Sequence, residues 1–393
     1  MVERLAEIPR KTCRLFGAIK AASNIRHCAV LVHGPRGCVY HINYILGMRG
    51  DRPSQVYSTC LDERDVIFGA EQKLRHAIEE LDTTLRPELI VVLSCCASGI
   101  IGEDLAGAIQ GAPTNAKIIA IEAGGFEGDF RTGYSETLKR LVEELVSPIP
   151  AQVNPRSLNL IGLLRGGPDL YELRHLLGLI DVQIGGVLTA DATLAQIEGL
   201  GKAALNIVVC EPAGRESAEL LEKQYGTPFI IEEPPIGYAA SLDFLERVGY
   251  RLGIPVNKET IYGRSPRIEG SLEDRRIAIV GGPTRAVSVT RFLAELGGMP
   301  RLIVLDYDGG ASEKLRPFIG PECEVIVEPS FDLIVQKLGE CEIDLIIGGM
   351  LERPLATAFG IEHLDIMHGS QKTVGFSGAA NLIRLLRQRP GPQ

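Results

Sequence analysis

Three cysteines stand where a folded α/β protein could gather them into one metal site. Cys13 begins CRLFGA, Cys38 ends HGPRGC, and Cys96 lies in SCCASGIIGED. Cys38 and Cys96 each follow an apolar run that predicts a buried strand, and open parallel sheets bind ligands outside the carboxyl ends of their strands. Thiolates from separate loops are how proteins hold iron–sulfur clusters. The spacing therefore raises the hypothesis of an iron–sulfur site, with plain burial of the cysteines as the alternative.

The other six cysteines need separate interpretation, because a lone buried cysteine usually acts as a small apolar side chain. Cys60, in STCLDERDVIFGAEQKL, is either an extra ligand or a structural residue. Cys96 opens a predicted helix, whose positive end favours a thiolate. Cys95 should point the opposite way if the preceding strand continues, since strand side chains alternate. Four cysteines in or beside strands are interpreted as core residues: Cys28, Cys210, Cys323 and Cys341.

Short β-branched runs alternate with helical stretches, the pattern of βαβ units around parallel sheets. We predict an α/β protein with three doubly wound Rossmann-like domains: 1–150, carrying the cluster cysteines, 151–270 and 271–393. Residues 147–157 hold three prolines and are interpreted as a linker. Predicted helices cover 135–146 and 217–226, the second capped by Ser217 and ended by Gly226. Predicted strands cover 28–34, 88–95, 116–123, 158–164, 182–188, 205–210, 228–234, 277–282, 301–308, 323–329, 343–349 and 364–369.

Composition narrows the class of protein. With 393 residues, 45% of them apolar, the chain can bury sizeable cores in two or three domains. A net charge of −9 speaks against nucleic acid as the main partner. No apolar run is long enough to span a bilayer, and the N-terminus lacks the apolar core of a signal peptide. We therefore expect a cytoplasmic protein with reduced thiols.

Two nucleotide-binding motifs are missing from the sequence. It contains no G-x-x-x-x-G-K-[ST] phosphate loop, which argues against ATP hydrolysis by that route. It also lacks a G-x-G-x-x-G after the first strand, so no dinucleotide is indicated. GGPTR at 281–285 could line a ligand pocket or form a tight turn between a strand and a helix.

Several spaced motifs together resemble the nitrogenase component 1-like oxidoreductases, nearly from end to end. The spacing from Cys13 to Cys38, with HGPRGC at the second cysteine, is similar to the first two cluster ligands of the family. STCLDERDVIFGAEQKL resembles a phrase of the type V-x-F-G-G-x-x-K-L. SCCASGIIGEDL resembles S-x-C-P-x-x-x-I-G-D-D, which implies Cys96 rather than Cys95 as the third ligand. The segments EKQYGTPF and RRIAIVGGPTR resemble parts of its second and third domains.

Departures from nitrogenase suggest the subfamily. The stretch GSLEDRRIAIVGG has no cysteine where nitrogenase has a cysteine ligand of its iron–molybdenum cofactor. The chain is also shorter than a nitrogenase α-subunit. In length and overall sequence it most resembles the catalytic components of Ni-sirohydrochlorin a,c-diamide reductive cyclases. The N-type subunit of light-independent protochlorophyllide reductase is one alternative. A non-catalytic scaffold for metallocluster assembly is another, of a different functional class.

The resemblance implies a division of labour between two proteins. An ATP-dependent iron protein would supply electrons, so MgATP would act only through that partner. This chain, expected as a homodimer, would hold a [4Fe-4S] cluster on Cys13, Cys38 and Cys96, with a fourth ligand from Cys60, a partner subunit or a non-cysteine group. A nickel tetrapyrrole is the expected substrate. Its carboxylates would meet Arg165 and Arg285 at strand ends, with a solvated surface charge as the alternative for either arginine. His368 would donate protons, with a structural histidine as the alternative.

Overall fold

The computed structural model describes residues 10–48, 55–126, 128–148, 152–262, 272, 275–367 and 371–387. These residues form an α/β fold with three sheets, and parallel strand pairs occur in each of the three. The predicted fold class is confirmed. No helix of the described residues is long and apolar enough to cross a membrane.

The first sheet, with strand order β2-β1-β3-β4, carries the segments that contain the candidate cysteines. Its central strands β1 (Cys28–His33) and β3 (Leu89–Ser94) are buried along their whole length, as expected for parallel strands covered on both faces. The outer strands are β2 (Val56–Ser58), which the sequence did not predict, and β4 (Lys117–Ile121). The helices of this region are α1 (Arg14–Ala22), α2 (Arg36–Met48), α3 (Glu63–Phe68), α4 (Glu71–Leu85), α5 (Cys96–Ile101), α6 (Leu105–Ile109) and α7 (Phe130–Leu145).

The second sheet has the order β6-β5-β7-β8. Strand β5 (Asn154–Leu163) begins inside the predicted linker, whose last residues are therefore strand. The other strands are β6 (Gln183–Thr189), β7 (Ala203–Val208) and β8 (Phe229–Ile231). The helices that follow β5 in the chain, up to residue 262, are α8 (Pro168–Gly178), α9 (Leu194–Glu198), α10 (Glu211–Tyr225), α11 (Tyr238–Leu252) and α12 (Lys258–Tyr262).

Helix α10 corrects one predicted boundary. It begins at Glu211 rather than after Ser217, because Pro212 suits the first turn of a helix and Cys210 takes the N-cap position. Ser217 is buried in the helix interior and caps nothing. The predicted end is correct: Gly226 follows the last turn with a φ of 70°, a left-handed conformation that suits glycine.

The third sheet is a five-stranded parallel sheet in the order β11-β10-β9-β12-β13. Its strands are β9 (Ile277–Gly281), β10 (Pro300–Leu305), β11 (Glu324–Val327), β12 (Leu345–Gly348) and β13 (Glu362–Asp365). Its helices are α13 (Pro283–Glu295), α14 (Ala311–Leu315), α15 (Phe331–Glu340), α16 (Arg353–Phe359) and α17 (Gly375–Arg387).

The chain forms two compact units. The cysteine unit comprises Lys11–Arg165 and Ile184–Ile230, with the first two sheets, and the C-terminal unit takes the described residues of Met1–Arg10, Gly166–Gln183 and Ile231–Gln393. Each sheet lies within one of the three segments predicted as domains, but residues of the middle segment belong to both units. The division into three domains stays a prediction.

Candidate functional site

The N-terminus of α1 positions Cys13. Cys13 is the N-cap of this helix and forms an isolated antiparallel bridge with Asp129, the residue that caps α7. Helices α1 and α7 approach each other through glycines: a Cβ on Gly17 would lie 2.0 Å from the Phe130 carbonyl oxygen, and one on Gly133 would lie 1.9 Å from that of Arg14. Because only hydrogen fits at both points, the helix pair holds Cys13 at a fixed place in the cysteine unit.

Cys38 lies in the first turn of α2, directly after strand β1. The connection is the short Gly34–Pro35 segment, and the Cys38 amide donates a hydrogen bond of 3.3 Å to the Pro35 carbonyl oxygen. Gly34 is pressed against the next element, because a Cβ there would stand 2.5 Å from the Cys95 sulfur. The glycine thus allows the loop carrying Cys38 to approach the end of strand β3 closely.

The neighbours Cys95 and Cys96 follow β3, but they do not alternate as strand residues would. The strand ends at Ser94, Cys95 is the N-cap of α5, and Cys96 is its first residue. The expected orientation of Cys95 required the strand to continue, and the strand ends at Ser94, so that condition is not met; the Cys95 thiol is instead hydrogen-bonded with Cys38. The physical reason is that the change from strand to helix one residue earlier ends the two-residue period.

Gly125 brings Cys13 and Cys96 together. Its amide donates a hydrogen bond of 3.2 Å to the Cys96 sulfur. A Cβ on this glycine would lie 3.3 Å from that sulfur, 3.2 Å from the Cys13 Cβ and 3.9 Å from the Cys13 sulfur. Both cysteines therefore contact the same small residue, and an amide hydrogen bond to sulfur is one means by which proteins tune an iron–sulfur cluster.

The pKa of Cys38 reflects all four thiols of the group formed by Cys13, Cys38, Cys95 and Cys96. The pKa of Cys38 is raised because its proton is hydrogen-bonded to Cys95, with burial and the negative charges of Cys95, Cys96 and Cys13 acting in the same direction. The hydrogen bond with Cys38 lowers the pKa of Cys95 to about 5, helped by the backbone amides of Ser98 and Ala97 and opposed by burial.

A buried histidine network, which the sequence did not predict, supports the loops of this site. His33, at the end of β1, is fully buried; its Nδ1 lies 3.0 Å from the Thr59 Oγ1, and its Nε2 contacts the Glu103 carboxylate. The other oxygen of Glu103 accepts a hydrogen bond from the Ala70 amide. The histidine of HGPRGC and the acid of IIGED therefore join the loops that follow β1, β2 and α5.

Cys60 has a different environment from the four grouped thiols. Its backbone is left-handed, with a φ of 58°, and its thiol lies 3.4 Å from the Ser58 carbonyl oxygen. Its own carbonyl accepts a hydrogen bond of 2.9 Å from Lys73. These contacts describe a tight structural turn, and Cys60 as a ligand stays a prediction.

The grouped thiols fit an iron–sulfur cluster better than a single ion. Among the described residues, no group of three or more His, Cys, Asp or Glu could hold one metal ion. In a cluster, by contrast, each thiolate binds its own iron, so the sulfurs surround the cluster instead of converging on one point. The four thiols are suitable donors for an iron–sulfur cluster. Glycines at 34 and 125, where a Cβ would meet cysteine atoms, are also consistent with a cluster at this place.

Comparison with known proteins decides the family. The model of the nitrogenase component 1 type oxidoreductases matches residues 13–388. The chain belongs to the nitrogenase component 1 family. Members of this family bind iron–sulfur clusters and work with an iron protein, so an iron–sulfur cofactor and a partner of this kind are consistent with the chain.

Individual relatives cover nearly the whole chain. The nitrogenase iron–molybdenum cofactor biosynthesis protein NifE of Methanococcus maripaludis is 28% identical over 97% of this chain and 82% of its own length. The nitrogenase molybdenum–iron protein beta chain of the same organism is 26% identical over 97% of this chain and 94% of its own. A solved structure of nitrogenase Cp1 at pH 6.5 superposes with a TM-score of 0.81 at 21% identity, covering 98% and 94% of the two chains, and shows the shared fold.

The remaining predicted site residues are not part of the thiol group. Arg165 follows β5 in the cysteine unit and is half-buried. Arg285, in the C-terminal unit, forms an ion pair of 2.8 Å with the buried Asp169 and donates to the Ile366 carbonyl oxygen at 2.6 Å. His368 lies outside the described residues. The roles of these three residues stay predictions.

Three of the four cysteines interpreted as core have surroundings that favour a structural role. Cys28 lies inside β1, and burial raises its pKa to about 12. Burial likewise raises the pKa of Cys323 to about 12 and, with nearby acidic residues, raises that of Cys341. For these three thiols burial is the first cause of the raised pKa, whereas for Cys38 the first cause is the hydrogen bond with Cys95.

Proposed function

We propose that this protein is the reductase component of a two-component system that reductively cyclises Ni-sirohydrochlorin a,c-diamide. Electrons would come from an ATP-dependent iron protein, and the product would lead to the nickel tetrapyrrole cofactor of methyl-coenzyme M reductase. The observation that carries the proposal is the group of thiols from Cys13, Cys38, Cys95 and Cys96 in the cysteine unit. This group of thiols supports the proposal that the chain keeps the site at which members of the family accept electrons.

The sequence ahead of β9 favours an organic substrate over dinitrogen. Between Tyr262 and Ile277 there is no cysteine, although a nitrogenase-type chain has the cysteine ligand of its large cofactor in this region. A chain without that ligand lacks one anchor for the iron–molybdenum cofactor. A chain that does not bind this cofactor would be able to accept a tetrapyrrole in its place.

The protein's own residues would hold and shield the redox group. Cys13, Cys38 and Cys96 are the ligands expected from the family resemblance, and a [4Fe-4S] cluster bound there would take up and pass on single electrons. The Gly125 amide directs a hydrogen bond at the Cys96 sulfur and so lowers the cost of added negative charge. The buried contact between His33 and Glu103 keeps the surrounding loops in place.

Substrate binding and proton delivery are assigned to residues outside the thiol group. Arg165 would bind a carboxylate of the tetrapyrrole, and His368 would supply protons. Arg285 is a weaker candidate for direct contact, because its guanidinium already binds Asp169, Thr373 and the Ile366 carbonyl oxygen. Held in place by these contacts, its positive charge would instead attract the substrate carboxylates without direct contact.

An exposed apolar surface on α3 and α5 is proposed as the docking site of the iron protein. The two helices pack against each other, and α5 begins at Cys96. Phe68 is 83% exposed, and Ile67 and Ile100 are 72% and 70% exposed. Ile100 is on the same helix as Cys96, and exposed apolar side chains beside a redox site suit a transient partner that must bring its own redox group near. The expected homodimer would use other surfaces.

A scaffold for metallocluster assembly is the second candidate, and the names of the relatives favour it. The NifE proteins of Methanococcus maripaludis and Clostridium pasteurianum, both named for cofactor biosynthesis, are 28% identical to this chain. A scaffold would hold a cluster on its cysteines and pass it on, without turning over an organic molecule. Fold alone cannot separate the two roles, because the same site geometry serves both.

Anaerobic reconstitution tests the cyclase proposal. The chain would be incubated with an iron protein, MgATP, a reductant and Ni-sirohydrochlorin a,c-diamide, and conversion would be followed by absorption spectra and mass spectrometry. We expect conversion that stops without MgATP and with Cys96→Ala, and that persists with Cys323→Ala as the matched cysteine control. No conversion with an intact cluster would exclude the cyclase. Conversion of protochlorophyllide instead would favour the alternative reductase, and transfer of a cluster to an acceptor protein would favour the scaffold.

A further inference from the structure

We propose that Arg10 is an ionic latch that binds the N-terminal segment of the chain to the carboxyl edge of the third sheet. The Arg10 latch consists of Arg10, Asp306 and Glu352, all of which belong to the C-terminal unit. One guanidinium nitrogen of Arg10 lies 2.6 Å from the Glu352 Oε1, and another lies 2.9 Å from the Asp306 Oδ1. The inference is independent of the thiol group and of the proposed cyclase reaction, because it uses residues of the C-terminal unit alone.

The Arg10 latch spans the carboxyl end of the central strand β9. The third sheet has the order β11-β10-β9-β12-β13, so β10 and β12 lie on either side of β9. Asp306 directly follows β10, and Glu352 ends the short 3-10 helix Met350–Glu352 that comes after β12. The strand order reverses between β9 and β12, and open α/β sheets bind ligands in the crevice at such a point. The guanidinium that joins the two carboxylates therefore covers the place where a ligand of this sheet would bind.

Arginine suits this position because its guanidinium is a planar fork that can bind two oxygens at once. Burial opposes the charge of Arg10, but the attraction of Glu352 and Asp306 outweighs it, and the pKa of Arg10 is raised above its usual value. Arg10 therefore stays charged and bound to both carboxylates. A lysine, with a single ammonium group, could not present the same fork.

The two carboxylates of the latch differ in exposure. The Glu352 side chain is 5% exposed, whereas the Asp306 side chain is 41% exposed. An ion pair with a buried carboxylate is little screened by salt, whereas an exposed pair contributes less and weakens as salt is added. We therefore expect Glu352 to supply most of the attraction and Asp306 to orient the guanidinium.

Both acidic residues keep backbone contacts that do not involve Arg10. The second oxygen of Glu352 accepts a hydrogen bond of 2.7 Å from the Gly349 amide. The Asp306 amide donates a hydrogen bond of 3.1 Å to the Gly281 carbonyl oxygen, at the end of β9. The loops after β10 and β12 thus remain attached to the sheet when Arg10 leaves. The latch can open without unfolding the sheet, and its opening would uncover the carboxyl end of β9.

Limited proteolysis of the full chain tests the latch. Trypsin must take the arginine side chain into its own acidic pocket, so cleavage after Arg10 reports the fraction of molecules in which the latch is open. We expect slow cleavage in the wild type, and cleavage at least about tenfold faster when Asp306→Asn and Glu352→Gln are combined. Asp332→Asn, which removes an exposed charge on α15, is the matched control and should keep the wild-type rate. Mass spectrometry of the fragments identifies the bond that is cut.

A second measurement keeps the test decisive if the double variant does not fold. Ethylguanidinium has the fork of the arginine side chain, so it should raise the Tm of Arg10→Ala more than that of the wild type. Ethylammonium, which lacks the fork, should not distinguish the two proteins. Equal cleavage after Arg10 in the wild type and a folded double variant would overturn the latch, as would equal Tm shifts of both proteins with ethylguanidinium. Neither result would bear on the cluster or on the cyclase.

Discussion

At the scale of single residues, a buried histidine network joins the loops next to the thiol group. His33 has no exposed surface, and it contacts Thr59 through one ring nitrogen and Glu103 through the other. Buried polar atoms are costly when unpaired, so this network fixes the loops that carry the cysteines. The sequence motif HGPRGC therefore combines the proposed ligand Cys38 with His33, which holds the neighbouring loops together.

Replacing Glu103 with alanine should loosen this network. The substitution leaves His33 and the Ala70 amide without their carboxylate partner, and we expect a loss of about 1–3 kcal/mol in the free energy of unfolding. Urea denaturation followed by circular dichroism measures the change. Glu80→Ala, on the exposed side of α4, is the matched control and should shift stability by less than about 0.5 kcal/mol. Equal effects of the two substitutions would show that the network contributes nothing.

The sequence identified residue types at the site better than their orientations. Cys13, Cys38 and Cys96 could be selected because strand-end positions and motif spacing are visible in one dimension. The direction of Cys95 could not, because it depends on whether the strand ends at Ser94 or one residue later. The partnership of His33 with Glu103 joins residues 70 positions apart, and no periodicity in the sequence reports such a contact.

At the scale of elements, close helix packing determines where the first cysteine lies. Helices α1 and α7 meet through Gly17 and Gly133, and the N-cap of α1 is Cys13. A side chain at either glycine would collide with backbone, which cannot move aside as a flexible side chain can. The position of Cys13 thus depends on a contact between two helices that are more than a hundred residues apart.

Gly133→Ala should separate these helices and weaken cluster binding. The new methyl group would meet the Arg14 carbonyl oxygen, and such overpacking costs about 1–3 kcal/mol. Because α1 carries Cys13, we also expect a lower iron content after reconstitution. Gly47→Ala, on α2 with no atom within 4 Å of the new Cβ, is the control and should be neutral or slightly stabilising. Normal iron content in Gly133→Ala would contradict this account of Cys13.

The predicted elements were correct where strands are long and buried, and less so at boundaries. The apolar runs around β1, β3 and β9 predicted strands that the structure contains. The three-residue strand β2 was missed because so short a run carries no clear period. The start of β5 was assigned to a linker because Pro155 signals a break, although proline is tolerated near the beginning of a strand.

Asp169 provides an element-scale prediction in the C-terminal unit. It lies in the first turn of α8, is buried, and accepts hydrogen bonds from the Thr373 amide and hydroxyl, the Val374 amide and Arg285. Asp169→Ala leaves a partly buried guanidinium without its counter-ion, so we expect a loss of about 3 kcal/mol in unfolding free energy. The matched control Asp332→Ala changes an exposed residue in the first turn of α15.

A double-mutant cycle identifies the source of that loss. Combining Asp169→Ala with Arg285→Ala should cost clearly less than the sum of the two single effects, because the second substitution removes the stranded charge. Strict additivity, measured by urea denaturation, would mean that Asp169 acts through the Thr373 and Val374 contacts and not through Arg285.

At the scale of the whole molecule, the proposed reductase would work with a partner protein. Its sequence has no phosphate loop, so in the proposed reaction the energy of ATP would enter through the iron protein. The family works with an iron protein, and the thiol group lies in the unit that also presents the exposed apolar side chains of α3 and α5. The expected homodimer can be measured directly, since light scattering of the reconstituted protein should give twice the chain mass of 42.6 kDa.

Phe68→Ala should weaken binding of the iron protein to this chain and leave the cluster unaltered. Phe68 is 83% exposed, and a large aromatic side chain at the centre of a docking surface commonly contributes about 2 kcal/mol or more. We expect MgATP-dependent reduction of the cluster, followed by EPR at limiting iron protein, to need a partner concentration at least about tenfold higher. Reduction by dithionite, which requires no docking, should be unchanged. Tyr250→Ala, an equally exposed aromatic on α11, is the control, and an equal effect of the two substitutions would place the docking surface elsewhere.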